Sequence, residues 1–132
     1  MRIAIIGAGY VGLCTAVCFA EKHEIVLIDK DPLKVQQINN NESYIFEKDL
    51  DKLLNKALES KNLIAKLITD KFRPFDLIFI SVGTPAESDG FIDLKYVKEV
   101  SETILARTSE FLFDHQQTLP VRLYVKTCEF LT

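Results

Sequence analysis

Cysteine is scarce in these 132 residues, and what is present builds no framework. Cys14, Cys18 and Cys128 are an odd number, and nothing in their spacing suggests a disulfide scaffold. Cys14 and Cys18 stand one helical turn apart among Ala and Val, which reads as buried small apolar positions. The alternative, a metal pair, lacks a nearby His or Cys to complete four ligands. A strong charge of one sign is also missing. With 16 basic and 19 acidic residues the net charge is −3, which supplies no electrostatic attraction to nucleic acid or to an anionic membrane. No apolar run is both long enough and free enough of glycine to span a bilayer. Internal repeats and low-complexity linkers are absent. The hydrophobic share of 48% excludes a disordered chain, and the length fits one domain over residues 1–132 with a core of its own.

Glycine is sparse too, with five in the chain, but three of them fall within six residues. The branched run Ile3-Ala4-Ile5-Ile6 ends in Gly7-Ala8-Gly9-Tyr10-Val11-Gly12, and an apolar helical pattern follows. A second branched run, Ile25-Val26-Leu27-Ile28, ends at Asp29, 17 residues past Gly12. Strand, G-x-G-x-x-G, helix, strand and terminal acid is the order of a dinucleotide-binding unit. Gly7 permits the tight turn, Gly9 clears the approach of a pyrophosphate, and Gly12 lets the helix pack closely. The helix N-terminus then faces the phosphates, and Asp29 stands where a carboxylate accepts ribose hydroxyls. One alternative is a tight turn without a ligand. Another is a secretory signal, since Arg2 precedes an apolar, small-residue stretch running to Ala20. Mid-helix glycines speak against the signal, each costing about 1 kcal/mol relative to Ala, and the protein is read as cytoplasmic.

Further along, Val11 to Glu21 reads as a helix with Ala16 and Ala20 against the sheet. His23 falls in the following turn. Asp31 reads as an N-cap with Pro32 at the first helical position, and Asn39-Asn40-Asn41 stops that helix. Glu47 to Glu59 reads as an amphipathic helix, with Leu50, Leu53, Leu54 and Leu58 on one face. Strands are expected over Leu63 to Ile68 and Phe75 to Val82, the latter breaking at Gly83-Thr84-Pro85. Asp89-Gly90 marks a turn, and Asp93 caps a helix carrying Val97, Val100, Ile104 and Leu105. Val121 to Val125 reads as a last strand. Alternating strands and helices predict an α/β fold of the Rossmann type: a doubly wound, mostly parallel sheet with helices on both faces. Ligands bind such sheets beyond the strands' carboxyl ends, where strand order reverses. The glycine turn, Asp29 and Gly83-Thr84-Pro85 are expected to meet there.

Taken together, G-A-G-Y-V-G-L, I-D-K-D-P-x-K-V, I-N-N-N, and S-V-G-T-P followed by D-G-F-I-D-L resemble the nucleotide-sugar dehydrogenases. That family includes the UDP-glucose and GDP-mannose dehydrogenases, and those acting on UDP-glucose look nearest. The resemblance covers about residues 1 to 105 and resumes at Val121 to Thr127. It implies NAD as cofactor, with the pyrophosphate at Gly7, Gly9, Tyr10, Val11 and Gly12. It implies Asp29 and Lys34 near the adenosine ribose and Thr84 at the cofactor. Read without the resemblance, Lys34 is a solvated helix charge and Thr84 an ordinary turn residue.

The chain departs from the family pattern in three places. The family's P-I-x-E-P-G-L stands here as Tyr44-Ile45-Phe46-Glu47-Lys48-Asp49-Leu50. Ser109 to Pro120 is longer than the usual connection. The K-S-T strand end becomes Lys126-Thr127-Cys128, so Cys128 falls where the family has a threonine. Family members oxidise a sugar's primary alcohol to a carboxylate through a thioester on a cysteine. That cysteine and its helpers belong to a later central helix and second domain, so no catalytic residue is assigned within this sequence. The expectation is the NAD-binding portion of such an enzyme, as a fragment, a shortened gene product or a split subunit. A nucleotide sugar would then bind only where a second domain, another copy or a complementing chain finishes the site. A stand-alone NAD-binding or regulatory module is the other reading. Neither nucleic acid nor membrane is expected as a partner, and no metal site is assigned.

Overall fold

The structure is a computed structural model and describes residues 1–83 and 94–114, with side chains through residue 108. Four strands, β1 (Arg2–Ile6), β2 (Glu24–Asp29), β3 (Leu63–Leu67) and β4 (Leu77–Ile80), form one sheet in the order β3-β2-β1-β4. All three pairings are parallel. The register sets Ile5 beside Leu27 on one side and Phe79 on the other. Parallel neighbours need crossovers, and helices supply them. These are α1 (Tyr10–Phe19), α2 (Pro32–Asn39), α3 (Leu50–Glu59) and α4 (Lys95–Asp114).

Both faces of the sheet are covered, which is why its central strands are continuous apolar runs rather than alternating ones. Ile3, Ile5, Ile25 and Leu27 pack on one face with Leu13, Ala16 and Val17 of α1, Ile38 of α2 and Leu54 of α3. Ala4, Ile6, Val26 and Ile28 point the other way, onto Val97 and Ile104 of α4 and onto Phe72 and Phe75. Fully burying one such side chain contributes about 1.5–3 kcal/mol, so these two clusters carry most of the described domain. The doubly wound, parallel α/β fold is therefore as the sequence implies.

Several details differ. Cys14 is only half-buried and Cys18 is exposed, so the expectation of two buried thiols is corrected. Four residues is a little more than one turn, and α1 turns its small residues Gly12 and Ala16 to the sheet. The thiols therefore flank the buried stripe. α1 ends at Phe19, two residues early. α3 starts at Leu50 rather than Glu47, because Asp49 is left-handed at φ 63°. β4 is limited to Leu77–Ile80. α4 continues through Asp114, taking in the start of the stretch expected to be a connection. Thr84, the Asp89-Gly90 turn, the Asp93 cap, the Val121–Val125 strand and Cys128 lie outside the described residues.

Among the described residues no helix is long and apolar enough to cross a membrane. The stretch from Arg2 to Phe19, which a signal peptide would have claimed, is β1 and α1 of the core.

Candidate functional site

The turn from β1 to α1 is fixed by four hydrogen bonds. Gly7 N donates to Ile28 O at 2.7 Å, Ser81 N donates to Ile6 O at 2.8 Å, and Ser81 Oγ donates to both Ile6 O (3.0 Å) and Gly7 O (3.1 Å). The turn is thus held between the ends of β2 and β4. Gly7 has φ +101°, a conformation L side chains rarely adopt. A Cβ at Gly12 would lie 1.7 Å from Gly7 O, so only glycine lets α1 approach the turn this closely. Ser81 was not singled out in the sequence. Its hydroxyl reads there as an ordinary strand-end residue, and only the fold brings it to the turn 74 positions away.

Gly9 is different in kind. A Cβ there would meet nothing within 4 Å. Its backbone is extended, at φ −78° and ψ −166°, and no side chain caps α1. The first N–H groups of an α-helix have no intrahelical partner. An uncapped helix start with open space before it therefore offers donors and a positive dipole end to an anion. Tyr10 and Val11 open this helix. The exposed Tyr10 donates its hydroxyl to Glu47. The hydrogen bond to Glu47 and the charge of that carboxylate push the Tyr10 hydroxyl pKa up. Val11 lines a second, separate pocket with Cys14 and Phe79 rather than the cleft at the glycine turn.

At the end of β2, both oxygens of Asp29 accept from the backbone. Oδ2 takes Ala8 N at 2.7 Å and Oδ1 takes Asp31 N at 2.9 Å. A carboxylate has about four acceptor directions, so the orientation is fixed while capacity remains for a diol. Lys34 lies in the first turn of α2, with Nζ 5.8 Å from the centroid of the Tyr44 ring.

These parts line one cleft of about 590 Å³. Gly7 and Gly9 contribute the turn, Asp29 and Lys34 one wall, and Ser81 to Gly83 another. Tyr96, Glu99 and Thr103 of α4 close the far side. The cleft sits at the carboxyl ends of the strands, where the order reverses between β1 and β4. The structure brings together Gly7, Gly9, Asp29 and Lys34, places Gly12 directly beneath the turn, and sets Tyr10 and Val11 at its helix. The α4 residues were missed, although Tyr96, Glu99 and Thr103 recur at helical spacing beside Val97, Val100 and Ile104. Tyr44 was missed as well. No group of three or more His, Cys, Asp or Glu that could hold a metal occurs among the described residues.

Fold and cleft together define a dinucleotide-binding Rossmann domain. The profile of the UDP-glucose/GDP-mannose dehydrogenase family, NAD binding domain, matches residues 1–121. The chain belongs to that family, and NAD is the cofactor of the domain it represents. It is 39% identical over 106 residues to UDP-glucose 6-dehydrogenase of Rickettsia prowazekii, covering 79% of this chain and 24% of that one. It is 34% identical over 124 residues to the Pseudomonas aeruginosa UDP-glucose 6-dehydrogenase, covering 92% and 27%. Among solved structures, GDP-mannose dehydrogenase of Pseudomonas aeruginosa superposes with a TM-score of 0.68 at 33% identity, covering 79% of this chain and 24% of that one. The chain thus spans about a quarter of the length of the curated relatives it matches.

Proposed function

We propose that this domain holds NAD for the oxidation of a nucleotide sugar, a UDP-sugar in the first instance, in a cytoplasmic enzyme. The observation that carries the reading is the pairing of open space at Gly9 with an uncapped α1 N-terminus, at the mouth of a cleft that also contains Asp29. Bound there, NAD supplies the hydride acceptor. The backbone of Gly9, Tyr10, Val11 and Gly12 receives the pyrophosphate, and Asp29 receives the adenosine ribose diol. Lys34 lies beside that ribose, and the family resemblance assigns Thr84 to the cofactor.

Two named relatives are UDP-glucose 6-dehydrogenases, which supports a UDP-sugar as substrate. The sugar must be held at near-attack distance from the cofactor and shielded from water. A second domain, a further copy or a complementing chain supplies that wall.

Fusing the 132 residues to the remaining three quarters of the Rickettsia relative tests this. The fusion is expected to produce NADH from UDP-glucose, Gly9→Val is expected to abolish it, and the 132 residues alone are expected to produce none. A folded, NAD-binding fusion that oxidises none of UDP-glucose, UDP-ManNAc and GDP-mannose would contradict the substrate reading. Sustained NADH production by the chain alone would contradict the need for a completing wall.

A further inference from the structure

Tyr44 lies between α2 and α3, far in sequence from the glycine turn, yet it touches two parts of the cleft. Its hydroxyl donates to Ala8 O. The N–H of that same residue, Ala8, donates to Asp29 Oδ2. One phenol therefore pins the residue that orients the carboxylate. The other contact is the ring, which lies under the Lys34 ammonium. A cation over an aromatic face is held there by the ring's negative quadrupole. Burial, with the nearby charges of Asp29 and Asp31, pushes the Tyr44 hydroxyl up to about 12. It therefore remains a proton donor throughout the neutral range.

The two contacts bear on one chemical choice. A fixed Asp29 accepts a free 2′,3′-diol and repels a 2′-phosphate. Lys34 is a cation on the same wall, and set free it could neutralise that phosphate. We propose that Tyr44 determines cofactor specificity by position: its hydroxyl holds Ala8 and Asp29 set for the diol, and its ring fixes the Lys34 ammonium over its own face rather than leaving it free to pair with a 2′-phosphate. The proposal rests on the reading that NAD occupies this cleft.

The test measures dissociation constants for NAD and NADP at equal ionic strength. It uses the 132-residue chain as wild type, Tyr44→Phe, Tyr44→Leu, and Tyr44→Leu with Lys34→Gln. Wild type is expected to favour NAD by about tenfold or more, the scale of one well-placed charged contact. Tyr44→Phe loses the hydroxyl and keeps the ring. Its NAD affinity should fall about three- to tenfold, as for one hydrogen bond, while NADP affinity falls less. Tyr44→Leu frees Lys34 and should narrow the preference further. Adding Lys34→Gln should weaken NADP again and widen it.

Thermal unfolding without cofactor shows whether each variant is folded. Tyr44→Phe alone decides the matter if Tyr44→Leu does not fold. Equal losses for both cofactors would mark a merely structural tyrosine and overturn the proposal. An unchanged NAD-to-NADP ratio in a wild-type-like binder would overturn it too, while leaving the NAD site standing. Wild type that binds neither dinucleotide at millimolar concentration would overturn both.

Discussion

A methyl group added at Gly9 and one added at Gly12 have opposite consequences, although the two glycines stand three residues apart. At Gly12 the new carbon would lie 1.7 Å from Gly7 O, a backbone atom that cannot move without opening the turn. Gly12→Ala is expected to cost about 3 kcal/mol or more in urea unfolding without cofactor. At Gly9 the new carbon meets open space at an ordinary φ. Gly9→Ala should change that stability by no more than about 1 kcal/mol and act mainly on NAD affinity. Comparable destabilisation by both substitutions would remove the distinction between a packing glycine and a ligand-facing one.

Tyr44 makes a second residue-scale prediction. Its hydroxyl titrates near 10 in the unfolded chain and near 12 when folded. Between those values the unfolded state has released the proton and the folded state keeps it. Folded stability therefore declines as pH rises from about 10 toward 12, and this contribution is unaffected below 10. Urea midpoints at pH 9 and pH 11 should differ more in wild type than in Tyr44→Phe. An equal pH dependence in the two would contradict the assignment.

At the scale of elements, what could be read in advance was whatever local chemistry decides alone. Asp31 with Pro32 announces α2, and Asp31 Oδ1 accepts from Leu33 N at 2.9 Å. Asp31→Ala should cost about 1 kcal/mol through loss of this cap, measured by urea unfolding. The substitution leaves intact the Asp31 backbone N–H that orients Asp29. A neutral result would show that the cap is redundant. β1 and β2 were legible because residues buried on both faces must be apolar throughout. The start of α3 was not, because a left-handed Asp49 interrupts a pattern that periodicity alone extends back to Glu47. Nor was the role of Asn39, whose side chain exchanges two 2.9 Å hydrogen bonds with the backbone of Ala65 and so covers the outer edge of β3. That pairing spans 26 positions and has no local signature. The exposure of Cys18 was hidden for a related reason: composition says a small thiol is usually buried, but helix phase against the sheet decides which face it takes.

At the scale of the whole molecule, the cleft belongs to no single segment. The glycine turn and Asp29 could be named from sequence because each sits within a recognisable local pattern, and Lys34 only through the family resemblance. Ser81, Tyr44 and the α4 wall could not, since each acquires its place only when the sheet order β3-β2-β1-β4 sets distant segments side by side. The central claim is that this assembled cleft, entered at Gly9, holds NAD. Thermal unfolding of the 132-residue chain across NAD concentrations, beside Gly9→Val, tests it most directly. A ligand that binds only the folded state stabilises it by about 2.7 kcal/mol at a hundredfold excess over its dissociation constant. The account predicts a melting temperature that rises with NAD in wild type and stays flat in Gly9→Val, which should remain folded because its side chain enters open space. No rise in wild type at millimolar NAD, or an equal rise in Gly9→Val, would contradict it.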